Sequence, residues 1–175
     1  MKLLLINADQ LRHDCVGYRN IRPVLTPNLD KLATESVVYT HAFTPLPVCA
    51  PARQALLCGL HPDSFGAQWN YDFIPTATVK PEWCWTKQLK EKGFSSAYLG
   101  RFHVSPDFTA HDFGYDEWVK WDGYHEMVHN KYPNIEYSGG WLGCANPIPV
   151  EDSTTHWMAG RAVDMIKKLS PAFCI

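Results

Sequence analysis

Short apolar runs alternate with stretches of helical periodicity along this chain, and each run empties into a loop of polar or charged side chains. Residues 3–7 are apolar almost throughout, residues 37–43 are rich in β-branched and aromatic side chains, and residues 94–99 follow a glycine that closes a helical stretch. A last run opens at Pro171. Between them, Thr26 stands as an N-cap before Pro27, with Leu29, Leu32 and Ala33 on one face. Residues 81–92 put Trp85, Leu89 and Lys92 on one face, and Met158, Ala162, Met165, Ile166 and Leu169 recur at helical spacing as core positions. Strands alternating with helices predict an α/β domain with a mostly parallel or mixed sheet flanked by helices, containing residues 3–7, 37–43, 94–99 and 172–175. The run 3–7, apolar on both faces, predicts a covered central strand. In open α/β sheets, ligands sit beyond the carboxyl ends of the strands, so the polar loops are where chemistry is expected.

With 46% hydrophobic residues, 19% charged and a formal net charge of -2, the 175-residue chain is large enough for one core. It has no charge excess that would draw nucleic acid or an anionic membrane surface. No apolar run approaches the ~20 residues that span a bilayer. The opening Met1-Lys2-Leu3-Leu4-Leu5-Ile6 is too short for a signal peptide and no small-residue cleavage site follows. The chain as it stands therefore reads as cytoplasmic, and as periplasmic or secreted if a leader has been trimmed. Six cysteines (Cys15, Cys49, Cys58, Cys84, Cys144, Cys174) include no C-x-x-C pair, which argues against a zinc site, and a chain of this size needs no disulfide frame. Cys58, Cys84 and Cys174 read as buried small hydrophobes.

The most chemically suggestive stretch runs from Pro47 to Gly59. Cys49 ends a proline-bearing loop, Pro51 suits a first helical turn, and Gly59 suits the residue past a helix end. A helix over about residues 51–57 puts Cys49 at its N-terminus, where free N–H groups and the helix dipole favour an anion. Arg53, one turn on, reaches back toward the same spot. Two further loops follow strands: Asp9-Gln10 after the first, and Arg101-Phe102-His103 after residues 94–99. On residue type alone Asp9-Gln10 fits a solvated turn as well as a metal site, and Arg101 with His103 fits surface polarity as well as catalysis. His41 and His156 read as a strand histidine and a cap-region polar group.

Cys49-Ala50-Pro51-Ala52-Arg53 with Leu57-Cys58-Gly59 downstream resembles the signature of the formylglycine-dependent type I sulfatases, in the alkaline phosphatase superfamily. The flanks agree almost continuously from Leu4 to His61. An acidic residue follows the first strand (Asp9), then Arg12 and Asp14-Cys15-Val16-Gly17, then Thr26-Pro27-Asn28-Leu29-Asp30-Lys31-Leu32-Ala33. Later, Gly93 to His103 keeps the frame of the family's G-Y-x-T-x-x-x-G-K-W-H segment. The resemblance implies that Cys49 is oxidised to Cα-formylglycine by the formylglycine-generating enzyme, and that its hydrated aldehyde is the nucleophile toward a sulfate ester of a small molecule or sugar. It implies that Asp9 and Gln10, with position 49, ligate a divalent cation, usually calcium, with magnesium the other option. The family's second acidic position is Gln10 here, which can still offer a carbonyl oxygen but no charge. It also implies that Arg53 orients the hydrate, that Arg101 stands where a lysine holds the sulfate, and that His103 handles the proton. The lysine-to-arginine change keeps the charge and exchanges a point donor for a planar fork.

Residues 105–149 carry the weakest signal. Trp118, Trp121, Tyr124, Tyr132, Tyr137 and Trp141 could line a substrate cleft or cover the sheet, and the stretch is read as a long surface excursion with a partial substrate role. The resemblance covers the N-terminal part of a sulfatase catalytic domain only. Later family segments supply a further histidine, the rest of the metal site and a second lysine, so the chain as given is expected to be an incomplete, inactive sulfatase. Phosphonate monoester hydrolases and phosphodiesterases of the same superfamily are the neighbouring enzyme class, and a non-catalytic anion-binding remnant is the non-enzymatic one.

Overall fold

The computed structural model describes residues 2–137, 145–169 and 173–174. In chain order it contains β1 (Lys2–Leu3), α1 (Pro27–Thr34), α2 (Cys49–Cys58), α3 (Trp85–Glu91), β2 (Ser95–Leu99), β3 (Glu117–Val119), α4 (Asp122–Lys131), α5 (Thr154–Lys168) and β4 (Phe173–Cys174). The chain divides into two compact units, Met1–Leu5 with Pro45–Ile175, and Ile6–Thr44.

The larger unit is a parallel α/β layer. Its strands are ordered β1-β4-β2-β3, with β4 pairing β1 (Lys2 opposite Phe173) and β2 (Ser95 opposite Phe173), and β2 pairing β3 (Tyr98 opposite Trp118). Successive side chains of a strand point to opposite faces. Ala97 and Leu99 accordingly pack with Leu169, Met165 and Ile166 at the end of α5, while Tyr98 packs on the main core of Leu57, Val79, Cys84, Phe102, Val104, Ala110, Phe113 and Tyr115. The helical spacing read for α5 is what the structure shows. Ser153 caps the helix by accepting the His156 N–H.

Helix α2 forms where the sequence places it, one turn longer. Val48 is the extended N-cap, and Gly59 ends the helix in the left-handed region with its N–H on the Ala55 carbonyl. Ala50, Pro51, Gln54 and Leu57 form its buried face.

Four expectations need correction. Among the described residues the first strand is two residues long, pairs on one side only, and leaves Leu4 and Leu5 exposed, so there it is an edge strand and not a covered central one. Residues 37–43 form no strand; Val37, Tyr39 and Phe43 are each more than three-quarters exposed. A β-branched run becomes a strand only where a ladder and a covering layer receive it. The helix expected over residues 81–92 is broken, with a single 3-10 turn Pro81–Trp83, Cys84 extended, and α3 beginning at Trp85. Burial of Cys84 in the main core accompanies that break. Finally, residues 105–149 are no surface excursion: they supply β3, α4, and the core side chains Ala110, Phe113, Tyr115, Tyr124 and Ile148. Trp141 lies outside the described residues.

Gly114 shows how tightly this stretch is packed. Its φ is +98°, and an added Cβ would sit 2.9 Å from the Lys87 Cα and 3.1 Å from the Lys87 N and Thr86 O, all backbone atoms. Gly114→Ala is expected to lower the unfolding free energy by about 2 kcal/mol or more, combining ~1–2 kcal/mol for a positive φ with overpacking. Gly59→Ala, also at positive φ but with open space around it, should lose only the backbone part. Urea unfolding of the two variants checks this; equal midpoints would refute the packing account.

The Ile6–Thr44 unit is held by polar contacts. Thr26 does not cap α1 with its side chain; its hydroxyl donates to the Asp30 Oδ1 at 2.7 Å and accepts the Gly17 N–H at 2.7 Å. The Asp30 carboxylate fills the space that a side chain at position 17 would need, which accounts for the glycine of the Asp-x-x-Gly segment. Asp14, buried, accepts two hydrogen bonds from Arg12 (2.9 and 2.8 Å) and one from Arg22 (3.0 Å). These guanidinium partners, Arg12 foremost, hold its carboxyl well below the usual carboxylate range.

Candidate active site

Cys49 is the first residue of α2, a free and half-buried thiol. The adjacent Ala50 N–H, one of the helix's open donors, is taken by the Asn70 Oδ1 at 2.8 Å. One turn on, Arg53 projects to the carboxyl end of β2. There its Nη1 donates to the Arg101 carbonyl at 2.8 Å and to the Tyr98 hydroxyl at 3.2 Å, and Tyr98 itself donates to the same carbonyl at 3.0 Å. Burial, partly opposed by Arg53, pushes the Tyr98 phenol up, so it remains a donor. Gln54, fully buried, adds a third tie, its Nε2 donating to the Val104 carbonyl at 2.7 Å. The helix bearing Cys49 and the loop bearing Arg101 and His103 are thus fastened to each other by side chains of α2.

In that loop the two candidate residues differ. Arg101 is half-exposed, with Nη2 3.9 Å from the Asp72 Oδ2. His103 is buried, with a positive φ of 44°, its ring edge-on to Tyr71 at 5.1 Å and its Nε2 2.7 Å from the same Asp72 oxygen. Burial first, then the charges of Arg101 and Arg53, hold the imidazole below its ordinary value, with Asp72 opposing. The unfolded chain therefore takes up this proton before the folded one as pH falls. The contribution to stability is complete above about 6.5 and is lost as pH drops through the lower folded value.

Asp9 and Gln10 belong to the other unit, where both are exposed and Gln10 has a φ of 59°. A carboxylate and an amide carbonyl are oxygen donors of the kind calcium takes. Two such donors are few against the roughly six to eight ligands of a calcium site. Among the described residues no three His, Cys, Asp or Glu side chains form a group that could hold a metal ion. The donors fit by type and fall short by number. Cys84 is buried as expected, and burial pushes its thiol up to about 12; Cys58 is only half-buried, its thiol also raised by burial.

Three residues of this neighbourhood carried no sequence expectation. Asn70 and Asp72 lie in a connection without periodicity, and nothing local marks them. Gln54 did carry a signal, being a polar residue on a helix face otherwise apolar at Ala50, Pro51 and Leu57.

A family model described as sulfatase matches residues 2–168. An ulvan-active sulfatase of Formosa agariphila is 32% identical over 165 residues, covering 88% of this chain and 31% of its own length. An arylsulfatase of Clostridium perfringens is 30% identical over 209 residues, covering 97% of this chain and 40% of its own. The chain thus spans about a third to two fifths of these relatives. Among solved structures, Ps i-CgsB covers 99% of the chain and 43% of its own at a TM-score of 0.68 and 24% identity. The phosphonate monoester hydrolase of Agrobacterium radiobacter covers 99% and 40%, at 0.71 and 18%. Both structural likenesses show the fold, that of alkaline phosphatase-like α/β domains. No helix among the described residues is long and apolar enough to cross a membrane.

Proposed function

We propose, from the premise that this chain belongs to the sulfatase family, that it is the N-terminal, nucleophile-bearing part of a sulfuric ester hydrolase domain. What supports this most is the Arg53 bridge. One guanidinium joins the helix that begins at Cys49 to the loop that carries Arg101 and His103, so the matched motif and the strand-end loop belong to one construction.

Cys49, converted to Cα-formylglycine, would supply a hydroxyl nucleophile toward the sulfur of a sulfate ester. Around it, Arg53 and Arg101 provide positive charge for the sulfuryl oxygens as negative charge develops there. His103, held neutral at neutral pH by burial, is suited to take a proton from a hydroxyl. Asp9 and Gln10 would supply oxygen ligands to calcium or magnesium. Conversion would need the formylglycine-generating enzyme as a partner. Because Ala50 and Pro51 are buried within α2, that enzyme would have to act before α2 folds or on an unwound form. The substrate proposed is a sulfate ester of a small molecule or sugar. The phosphonate monoester hydrolase likeness is one of fold and favours no second reading.

Peptide mass spectrometry of position 49, after co-expression with the maturing enzyme, is expected to show the thiol replaced by an aldehyde oxygen. In a chain extended to its relatives' length, hydrolysis of an aryl sulfate with added calcium should then exceed that of a phosphonate monoester and be lost in Cys49→Ala. An unmodified Cys49 and no turnover, in this chain and in one extended to its relatives' length, would favour a non-catalytic anion-binding protein.

A further inference from the structure

We infer that Asp72 is a positioning residue for His103: its carboxylate accepts a hydrogen bond from the Nε2–H and leaves Nδ1 as the nitrogen that accepts a proton from the reacting group. This rests on His103 being the proton-handling residue of the proposed site. The geometry is specific. Nε2 lies 2.7 Å from the Asp72 Oδ2, the imidazole is only 5% exposed, and Nδ1 is buried with no hydrogen-bond partner among the described residues. An ionised carboxylate only accepts, so the nitrogen facing it carries the hydrogen; a neutral imidazole has one N–H, so Nδ1 presents its lone pair. A non-glycine residue at φ 44° persists only where its surroundings over-determine it. Here the carboxylate of Asp72 and the edge-on ring of Tyr71 do so.

The charged and titratable groups acting on the ring are the Asp72 carboxylate, the Arg101 and Arg53 guanidinium groups and the neighbouring Tyr71 phenol. Two cations and burial disfavour an imidazolium, and Asp72 alone among them supports it. In the step inferred, an O–H of the reacting group gives its proton to Nδ1 and keeps the electron pair on oxygen. The imidazolium then formed donates through Nε2 to Asp72, which offsets its charge. Asp72 touches neither substrate nor nucleophile in this scheme; it acts through His103.

The test uses the chain labelled with nitrogen-15 in its eight histidines, with His103→Gln to assign the resonance. In the neutral ring Nε2 should carry a slowly exchanging, downfield proton and Nδ1 should resonate as unprotonated. Asp72→Ala is expected to abolish that proton signal and lower the His103 pKa by about one pH unit, the low end for loss of a close opposite charge. Asp72→Asn, which keeps an acceptor oxygen without the charge, should retain the proton and show the same fall, and it carries the test if the alanine variant does not fold. A His103 titration unmoved or raised in both variants, or a neutral wild-type ring protonated on Nδ1, would overturn the inference. Aryl sulfate hydrolysis at the wild-type rate in His103→Gln would separately overturn the assignment of His103 to the reaction, and the proton-accepting role with it.

Discussion

Phe113→Ala is expected to lower the unfolding free energy by about 3–5 kcal/mol, the range for removing a large aromatic side chain from a packed core. Among the described residues Phe113 is the largest of the fully buried side chains. Its ring stands edge-on to Phe102 at 5.2 Å and to Phe108 at 6.3 Å, within the core that also holds Val79, Val104 and Ala110. The surroundings are poorly able to close around the cavity. The Phe113 carbonyl is fixed by the Thr86 hydroxyl at 2.6 Å, and Gly114 lies against the Lys87 backbone. Domains are typically stable by ~5–15 kcal/mol, so a loss of this size consumes much of the margin. Phe113→Leu, which keeps more of the volume, should lose markedly less. Urea unfolding with an unchanged slope and a lower midpoint is the expected observation. A loss below about 1 kcal/mol would mean the site collapses freely, contrary to the pinned backbone. Because Phe102 sits between Arg101 and His103, the same cavity lies directly beneath the strand-end loop.

How much of this was legible in the sequence follows from the range of the forces involved. Local signals were sufficient for α2, where Pro51 and Gly59 bracket a helix-forming run, and for α5, where Met165, Ile166 and Leu169 share a face and Ser153 precedes it. The expected strand over residues 94–99 was legible too, and it forms as the parallel strand Ser95–Leu99. Pairing was not. Residues 37–43 have the composition of a strand and no ladder, whereas Glu117–Val119, with a charged residue and a tryptophan, has its ladder on β2. That pairing is fastened by non-local bonds, among them the Ser96 N–H on the Asp116 carboxylate at 2.8 Å and the Gly100 N–H on the Val119 carbonyl at 2.9 Å. For the site, residues belonging to a matched motif could be named, while those acting by long-range contact could not. Asn70 reaches back 20 positions to Ala50, and Asp72 reaches 31 positions on to His103; only the folded chain brings either pair together.

Arg53→Ala is the variant expected to cost most in function, about 10²–10³-fold in sulfate ester hydrolysis, the size seen when one fixed donor to a developing oxyanion is removed. Arg53 donates to the Arg101 carbonyl and to the Tyr98 hydroxyl. Without the guanidinium, the Arg101 carbonyl keeps, among the described residues, the Tyr98 hydroxyl at 3.0 Å, and the Gln54 bond to the Val104 carbonyl at 2.7 Å still ties α2 to the loop. Because Arg53 is half-exposed, the stability loss should be small, about 1–2 kcal/mol for hydrogen bonds from a charged group. A large fall in turnover with a small fall in stability would separate its role at the site from a general structural one. Arg53→Lys refines the point: it keeps the charge but cannot hold two partners in a fixed fork, so it should recover only part of the lost rate. A second readout needs no turnover. Arg53 helps hold the His103 imidazole down, so its removal should raise the His103 pKa, opposite in sign to the removal of Asp72. The assay belongs in a polypeptide shown to hydrolyse an aryl sulfate, with Cys49 converted. Arg53→Ala turning over within a few-fold of wild type, with an unmoved His103 titration, would show that the bridge between α2 and the strand-end loop is not part of the site.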